Sequence, residues 1–422
     1  MLANVSAPLL GLLTTAVVGH LASAHALGAV TLGGILFGGL CWSFGFLRMG
    51  TTGVTAQAHG RQDDQAVRDL LSQSLAVALG LGALLLALAP WLIAFGVRLL
   101  GGDAETRALA TSYAQIRSVS APAVLANYVV IGWLLGQQHA RATLHLTLLS
   151  NALTLVGTLL LVLGLARPSD GVAWAAVCAE YTVLGLAARM VRHHGATLAG
   201  RFDRAALQHL GAYAALFRVN RHLFVRTLCL LGATAFFTAR GAAAGPTVLA
   251  ANAVLMQGVL VIAFVLDGFA QAAEALTGRA VGAHRFAEFG AAVRACLRWA
   301  LLTAVAAALL VAGGGPWIIA LLTTLDEVRA TARHALPWLV AMPLLAVWGY
   351  LLDGVFIGAT QTKAMRDTLL LALAAYLLAW YVTQGYGNHG LWFAYSLFMG
   401  VRSASLGAVY LHRRRGVWRD RA

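Results

Sequence analysis

Four carboxylates lie within long apolar stretches of this sequence: Asp267 and Glu274 share one stretch, and Asp353 and Glu180 lie in two others. A charge at the centre of a bilayer costs at least about 2.5 kcal/mol, so such groups face a protein interior or a water-filled cavity. There a carboxylate can exchange a proton or pair with a bound cation. We therefore treat these four acids as candidate cation-coupling residues.

The acids at 267 and 274 are seven residues apart, so a helix places them on one face, two turns apart. Gln271 lies between them on that face and is a candidate to line a substrate cavity. The alternative is that both acids are helix-end carboxylates paired with Arg279 or Arg240.

Asp353 and Asp267 are the best candidates to change protonation, because each precedes a glycine that lets helices approach closely. A neutral isostere at either position is expected to fold, since it lowers the cost of burial. The alternative is structural: Arg48, Arg117 and Arg402 also lie inside apolar stretches and could pair with these acids.

Aromatic side chains accompany the acids on the same stretches or on their repeat partners. Such rings suit flat cations through stacking and cation–π contact. Packing in the core is the alternative for each. The candidate cavity residues of this kind are Trp42, Phe46, Phe264, Tyr350 and Phe356, together with Arg48.

The elements that position these residues are predicted to be membrane-spanning helices. Hydrophobic residues make up 60% of the chain and charged ones 11%, and the mean hydropathy is +0.76. Apolar runs of about 20 residues can cross a hydrocarbon core. Periodicity and breakers place twelve spans at 2–18, 27–58, 70–96, 118–137, 142–165, 171–192, 220–240, 246–278, 291–320, 334–358, 367–384 and 389–411.

Basic residues orient these spans, because Lys and Arg concentrate in cytoplasmic loops. The loops after even-numbered spans, counted with the adjoining span ends and the tail, hold 21 of the 30 Lys and Arg residues, and the other loops, counted in the same way, hold 6. Both termini are therefore predicted to be cytoplasmic. The net charge of +14 then lies beside anionic lipid headgroups, and nucleic acid is not needed to explain it.

Two stretches repeat at an offset of 222 residues: Tyr128, Gly132 and Gly136 match Tyr350, Gly354 and Gly358. Thr55, Ala58 and Gly60 match Thr277, Ala280 and Gly282 at the same offset. An even number of spans separates the copies, which predicts parallel six-helix lobes related by a pseudo-two-fold axis along the membrane normal. We assign residues 1–195 to the N-terminal lobe, 196–219 to a cytoplasmic linker, 220–412 to the C-terminal lobe and 413–422 to a basic tail.

Motifs for enzymes, pumps and metal sites are missing from the sequence. It has no HExxH, nucleophile elbow or Walker loop, so a protease or an ATP-driven pump is not supported. The four cysteines form no CxxC pair and are interpreted as packing residues. We expect no enzyme activity, no metal and no cofactor.

Five motifs in order resemble the DinF-like branch of the multidrug and toxic compound extrusion (MATE) family: "PLLGLLTTAVVGHL", "FLRMGTTGVTAQAHG", "CAEYTVLGL", "LDGFAQAAEALTGRAVGA" and "LLDGVFIGAT". The resemblance implies an all-α membrane protein of twelve helices in two lobes. It also implies efflux of amphiphilic, often cationic compounds in exchange for H⁺ or Na⁺, by a monomer in the bacterial inner membrane. A flippase for lipid-linked oligosaccharides, in the same superfamily, is the alternative.

The sequence departs from the family at the ion site of the N-terminal lobe. Many relatives carry an acid in the first span where this chain has Thr14, and an acid-bearing motif in the fifth span where it has Asn151, Thr154 and Thr158. Thr14 and Asn151 are retained as candidate cavity residues. Because the anionic oxygens that Na⁺ prefers are replaced, we expect coupling to H⁺ rather than to Na⁺.

Overall fold

The computed structural model of the chain describes residues 24–100, 103–164, 168–201, 205–208 and 210–415. These residues are almost entirely helical, and none of them forms a strand. The predicted first span, which contains Thr14, lies outside the described residues. The all-α fold class predicted from the sequence is confirmed.

Contacts divide the chain into two units, one from Leu2 to Phe217 (the N unit) and one from Arg218 to Ala422 (the C unit). The helices before the boundary are α1 Ala24–Ser43, α2 Phe46–Gly60, α3 Asp64–Leu100, α4 Ala104–Ser118, α5 Ala121–Gly136, α6 Ala140–Gly164 and α7 Pro168–Ala196. The boundary falls inside α8 Leu210–Ala243. The C unit continues with α9 Pro246–Gly282, α10 Phe286–Leu322, α11 Asp326–Gly358, α12 Thr362–Thr383 and α13 Gly387–Arg415.

Each predicted span from the second to the twelfth overlaps a helix or a pair of helices. Within the described residues, nine helical segments are long and apolar enough to cross a membrane, or ten if a bent pair is counted as one span. The last of the nine, Thr362–Arg413, contains both α12 and α13. Hydropathy therefore located the spans, although it did not show how they are broken.

The fourth predicted span is one half of a bent pair that the sequence reading did not find. Helix α4 precedes it, and the two helices meet at a bend of 50°. Asp103 caps α4, because its carboxylate accepts a hydrogen bond from the backbone N–H of Thr106 at 2.6 Å. Asp103 and Glu105 are typical of a helix start, but the hydropathy of residues 104–118 is too low to predict a membrane span.

The internal repeat is visible in the helix contacts of each unit. A Cβ on Gly132 would lie 2.5 Å from the carbonyl oxygen of Arg48, and one on Gly354 would lie 2.0 Å from that of Ala270. Residues 48 and 270 differ by the same offset of 222 as the two glycines. The repeated glycines therefore let α5 approach α2, and α11 approach α9, at equivalent places.

The turns repeat as well. In the part of the chain that the structure describes, four residues other than glycine have a left-handed backbone: Gln62, Gln138, His284 and Thr360, with φ of 57°, 66°, 56° and 54°. They form two pairs at the offset of 222 and end α2, α5, α9 and α11. The left-handed conformation costs most residues about 1 kcal/mol or more, and it occurs at equivalent turns in the two units.

The first residues of the predicted linker are held against α3 within the N unit. Buried Arg68 donates hydrogen bonds to the carbonyl oxygens of Gly195, Leu198 and Ala199 at 2.5, 2.7 and 3.0 Å. Asp64 accepts the backbone N–H of Ala199 at 2.7 Å. From Leu210 onward the predicted linker is already part of α8.

Candidate functional site

Asp353 is the centre of a charged cluster in the C unit. It lies on α11, and its Oδ2 atom accepts hydrogen bonds from Arg226 on α8 and Arg402 on α13. The relative exposures of the three residues are 5%, 6% and 2%. Charged groups so buried are retained only when they are paired, and here one carboxylate is paired with two guanidinium groups.

Arg402 and its neighbour Ser403 are held by contacts with α11. The guanidinium carbon of Arg402 lies 4.9 Å from the centroid of the Tyr350 ring, which is a cation–π contact. Ser403 accepts the backbone N–H of Gly349 at 3.0 Å and donates to the carbonyl of Leu345 at 2.7 Å. These contacts hold α13 against α11 one residue away from the charge.

The acids of α9 lie at two different depths in the C unit. Asp267 is half-buried, and its carboxylate accepts a hydrogen bond from Gln271 at 2.8 Å, as expected for two residues one turn apart. Glu274 is 1% exposed, where α9 packs closely on α11 beside Gly358. Asp267 also acts electrostatically on Tyr350, together with Arg226, Arg402 and Asp353.

In the N unit, Glu180 of α7 is half-buried and is held by an amide. Asn127 of α5 donates one hydrogen bond to the Glu180 carboxylate at 2.9 Å and another to its backbone carbonyl at 3.1 Å. Among the described residues, Glu180 forms no ion pair, and the buried Oδ1 of Asn127 has no hydrogen-bond partner. This pair therefore places a carboxylate and an amide oxygen without a hydrogen-bond partner side by side.

The internal repeat relates the two clusters. Glu180 and Arg402 occupy the same position at the offset of 222, and the residues at 184 and 406 are both Leu, and those at 185 and 407 both Gly. Their partners also lie on equivalent helices, since Asn127 belongs to α5 and Asp353 to α11. The same helix contact thus carries an acid in the N unit and a base in the C unit.

The other residues predicted to line a cavity differ in their exposure. Phe356 and Phe46 are buried at 0% and 8%, whereas Trp42 is 50% exposed. Arg48, Asn151, Phe264 and Tyr350 are of intermediate exposure, and Thr14 lies outside the described residues. The cavity roles predicted for these residues remain predictions.

The sequence identified Asp353, Arg402 and Glu180 as candidates and missed Arg226 and Asn127. Arg226 was counted with the loop before the seventh span, but α8 begins earlier and buries it. The pairing of Arg402 with a deep acid was one of the alternatives, and the structure shows it. Asn127 gave no signal beyond being a single amide in an apolar span.

The chemistry available at these sites is that of protons and hard cations. The described residues contain no group of three or more His, Cys, Asp or Glu side chains that could hold a metal ion. Carboxylates paired with amides can bind a proton or a cation through oxygen atoms. Asp353 instead has its charge compensated within the protein.

Comparisons with known proteins agree with this architecture. The MatE family model matches residues 1–160 and 223–382. DNA damage-inducible protein F of Escherichia coli (strain K12) is 40% identical over 420 residues, covering 98% of this chain and 91% of that protein. Protein DETOXIFICATION 44, chloroplastic, of Arabidopsis thaliana is 24% identical over 433 residues, covering 99% and 81%.

Solved structures share the fold over almost the whole chain. A crystal structure of MATE in complex with MaD5 has a TM-score of 0.86 at 20% identity and covers 99% of this chain and 94% of that one. A MOP superfamily transporter from Pyrococcus furiosus Vc1, described as having a binding pocket of reverse polarity, has a TM-score of 0.84 at 19% identity, with 98% and 94% covered. The chain therefore belongs to the MATE family of multi-pass membrane transporters, and its resemblance to the DinF-like branch is confirmed.

Proposed function

We propose that this chain is a secondary active exporter that exchanges amphiphilic, often cationic compounds for H⁺ across the bacterial inner membrane by alternating access. The observation that carries the proposal is the pairing of Glu180 with Asn127 inside the N unit. A half-buried carboxylate held by a neutral amide is a group that can bind and release a proton. Membership of a transporter family makes ion exchange the natural use of such a group.

Asp267 is the corresponding candidate in the C unit, because its carboxylate also accepts a hydrogen bond from an amide, that of Gln271. Protonation of such an acid removes the charge with which a cationic substrate would pair, and thereby favours release of that substrate. Glu274 is more deeply buried and lies at the α9–α11 contact. We assign coupling to Glu180 and Asp267 ahead of Glu274 and Asp353.

Asp353 ranks last of the four acids because two guanidinium groups already compensate its charge. Loss of that charge on protonation would leave two cations buried together, which is costly at low dielectric. The sequence alone favoured Asp353, since no basic residue lies within a helical turn of it. Its proposed role changes because its partners come from α8 and α13.

The flippase remains the second candidate, and Arg226 and Arg402 are the observation in its favour. A carrier of lipid pyrophosphate needs cations that can bind phosphate oxygens. Both guanidinium groups, however, are buried and engaged with Asp353. This arrangement favours the exporter over the flippase.

Transport by the purified chain in proteoliposomes tests the proposal. A fluorescent lipophilic cation should cross the membrane when a pH gradient is imposed, and Glu180→Gln should slow that transport about tenfold or more. An equal Na⁺ gradient at uniform pH serves as the matched comparison. Dye transport that needs Na⁺ and continues when the pH gradient is collapsed would overturn coupling to H⁺. Translocation of a lipid pyrophosphate without dye transport would favour the flippase.

The remaining assignments follow from the same proposal. We propose that the protein works as a monomer, that its small amphiphilic substrates enter from the cytoplasm or the inner leaflet, and that its basic cytoplasmic loops contact anionic lipid headgroups. No nucleic acid, metal or organic cofactor is assigned to it. We also propose that both termini are cytoplasmic, which the distribution of Lys and Arg supports.

A further inference from the structure

The C unit contains a carboxylate that would suit a metal cation if its partners were absent. Asp353 lies on a spanning helix, is 5% exposed, and presents its Oδ2 atom to two other helices. Hard cations such as Na⁺ are bound by carboxylate and carbonyl oxygens at such places. Both directions of approach to Oδ2 are filled by Arg226 and Arg402.

We propose that Arg226 and Arg402 are tethered cations that keep Na⁺ away from Asp353 and so help to select the coupling ion. The inference rests on the proposed function, because excluding a metal ion matters only to a transporter that must choose one. A guanidinium fixed by its backbone competes at a very high effective concentration with an ion from solution. Two of them on Oδ2 occupy the positions from which a metal ion would approach that oxygen, and their positive charges repel a further cation.

The hydrogen bonds of the two guanidinium groups support this assignment. Among the described residues, the buried Nε atoms of Arg226 and Arg402 have no hydrogen-bond partner. Each side chain thus donates from Nη2 to Asp353 while its Nε–H lacks an acceptor, an arrangement that packing alone would not favour. The stacking of Arg402 on Tyr350 aims its charge at the same carboxylate.

The internal repeat supplies an independent argument. The position of Arg402 in the C unit is that of Glu180 in the N unit, on equivalent helices at the offset of 222. The helix contact therefore tolerates either charge. An arginine at this position places a built-in cation at the very place where the other unit presents an acid.

Thermal unfolding of the purified full chain in detergent tests the proposal without any transport. The chain is melted in NaCl and in choline chloride of equal concentration. Arg402→Gln or Arg226→Gln should give a melting temperature about 3 °C higher in NaCl, because bound ligand stabilises the folded state. Wild type and Arg402→Lys, which keeps the charge, should show no such difference.

Arg240→Gln is the matched control, since Arg240 is an exposed residue of the same helix as Arg226 and stacks on Phe236 instead of pairing with an acid. It should leave the melting temperature equal in the two salts. The proposal is wrong if both Arg→Gln variants fold and neither responds to Na⁺. If these variants do not fold, the wild-type protein provides the test. A melting temperature that is higher in NaCl for wild type but not for Asp353→Asn would overturn the proposal. Equal melting temperatures of wild type in the two salts would support it.

This experiment separates the inference from the proposed function. A Na⁺ response in Arg402→Gln, with no dye transport by wild type under any gradient, would support the tethered cations and refute the exporter. The opposite result is dye transport driven by a pH gradient, together with folded Arg→Gln variants whose melting temperatures are equal in the two salts. It would support the exporter and refute the tethered cations.

Discussion

Asp353 shows how a residue's partners can reverse the effect expected of its substitution. From the sequence, Asp353→Asn lowers the cost of burial and should fold well. In the structure, the same change leaves Arg226 and Arg402 buried with no compensating charge. Breaking one side of a buried ion pair costs about 3–5 kcal/mol.

We therefore expect Asp353→Asn to lower the free energy of unfolding by about 3 kcal/mol, measured by thermal or denaturant unfolding in detergent. Asp267→Asn is the control, because Asp267 is half-buried and bonded to an amide, and it should cost about 1 kcal/mol. Equal losses in the two variants would contradict the central role of the ion pairs.

Glu180→Gln is expected to separate transport from folding. Glutamine keeps an oxygen that can accept the Asn127 hydrogen bond but cannot be charged, so stability should change little. Transport of the dye under a pH gradient should fall about tenfold or more, because the proton has no charge to cancel. Wild-type transport by a stably folded Glu180→Gln protein would exclude Glu180 from coupling.

At the scale of helices, the repeated glycines define how closely neighbours can pack. A Cβ at position 354 would meet the backbone oxygen of Ala270 at 2.0 Å, and backbone cannot yield as a flexible side chain does. We expect Gly354→Ala to destabilise the protein by about 1–3 kcal/mol. Gly232→Ala is the matched control, because a Cβ there meets nothing within 4 Å and alanine favours the helix by about 0.5–1 kcal/mol.

The turn between α5 and α6 carries a histidine contact with the end of α7. The His139 and His194 rings lie with centroids 4.2 Å apart. Burial, with smaller contributions from His194 and His59, lowers the pKa of His139 below its usual 6.5. The unfolded chain therefore binds more protons near pH 6, and stability should fall as pH drops below about 6.5.

Melting temperatures in detergent between pH 7.5 and pH 5.5 measure this effect. His139→Gln should make the decline shallower, since the glutamine side chain has no proton to take up. His334→Gln is the control, because it removes an exposed imidazole at another place in the chain. An unchanged slope in His139→Gln would show that this turn does not set the pH dependence.

At the scale of the whole molecule, the sequence predicted the helices far better than the contacts between them. Hydropathy and the offset of 222 located the spans and the duplication, because both are properties of continuous stretches. The pairing of Asp353 with Arg226 joins residues 127 positions apart on separate helices. Only tertiary packing brings them together, so no local pattern contains the information.

The proposed orientation in the membrane rests on charge alone. Without Arg226, which α8 buries, 20 Lys and Arg residues lie in the loops after even-numbered spans, at the adjoining span ends or in the tail, against 6 in the other loops. Basic loops resist transfer across the membrane. We expect alkaline phosphatase to be inactive when fused after Ala422 or inserted at residues 360–361, between α11 and α12. Inserted at residues 323–325, between α10 and α11, it should be active. A green fluorescent protein at the same three places should show the opposite pattern, and phosphatase activity at the C-terminus with none at 323–325 would reverse the assigned orientation.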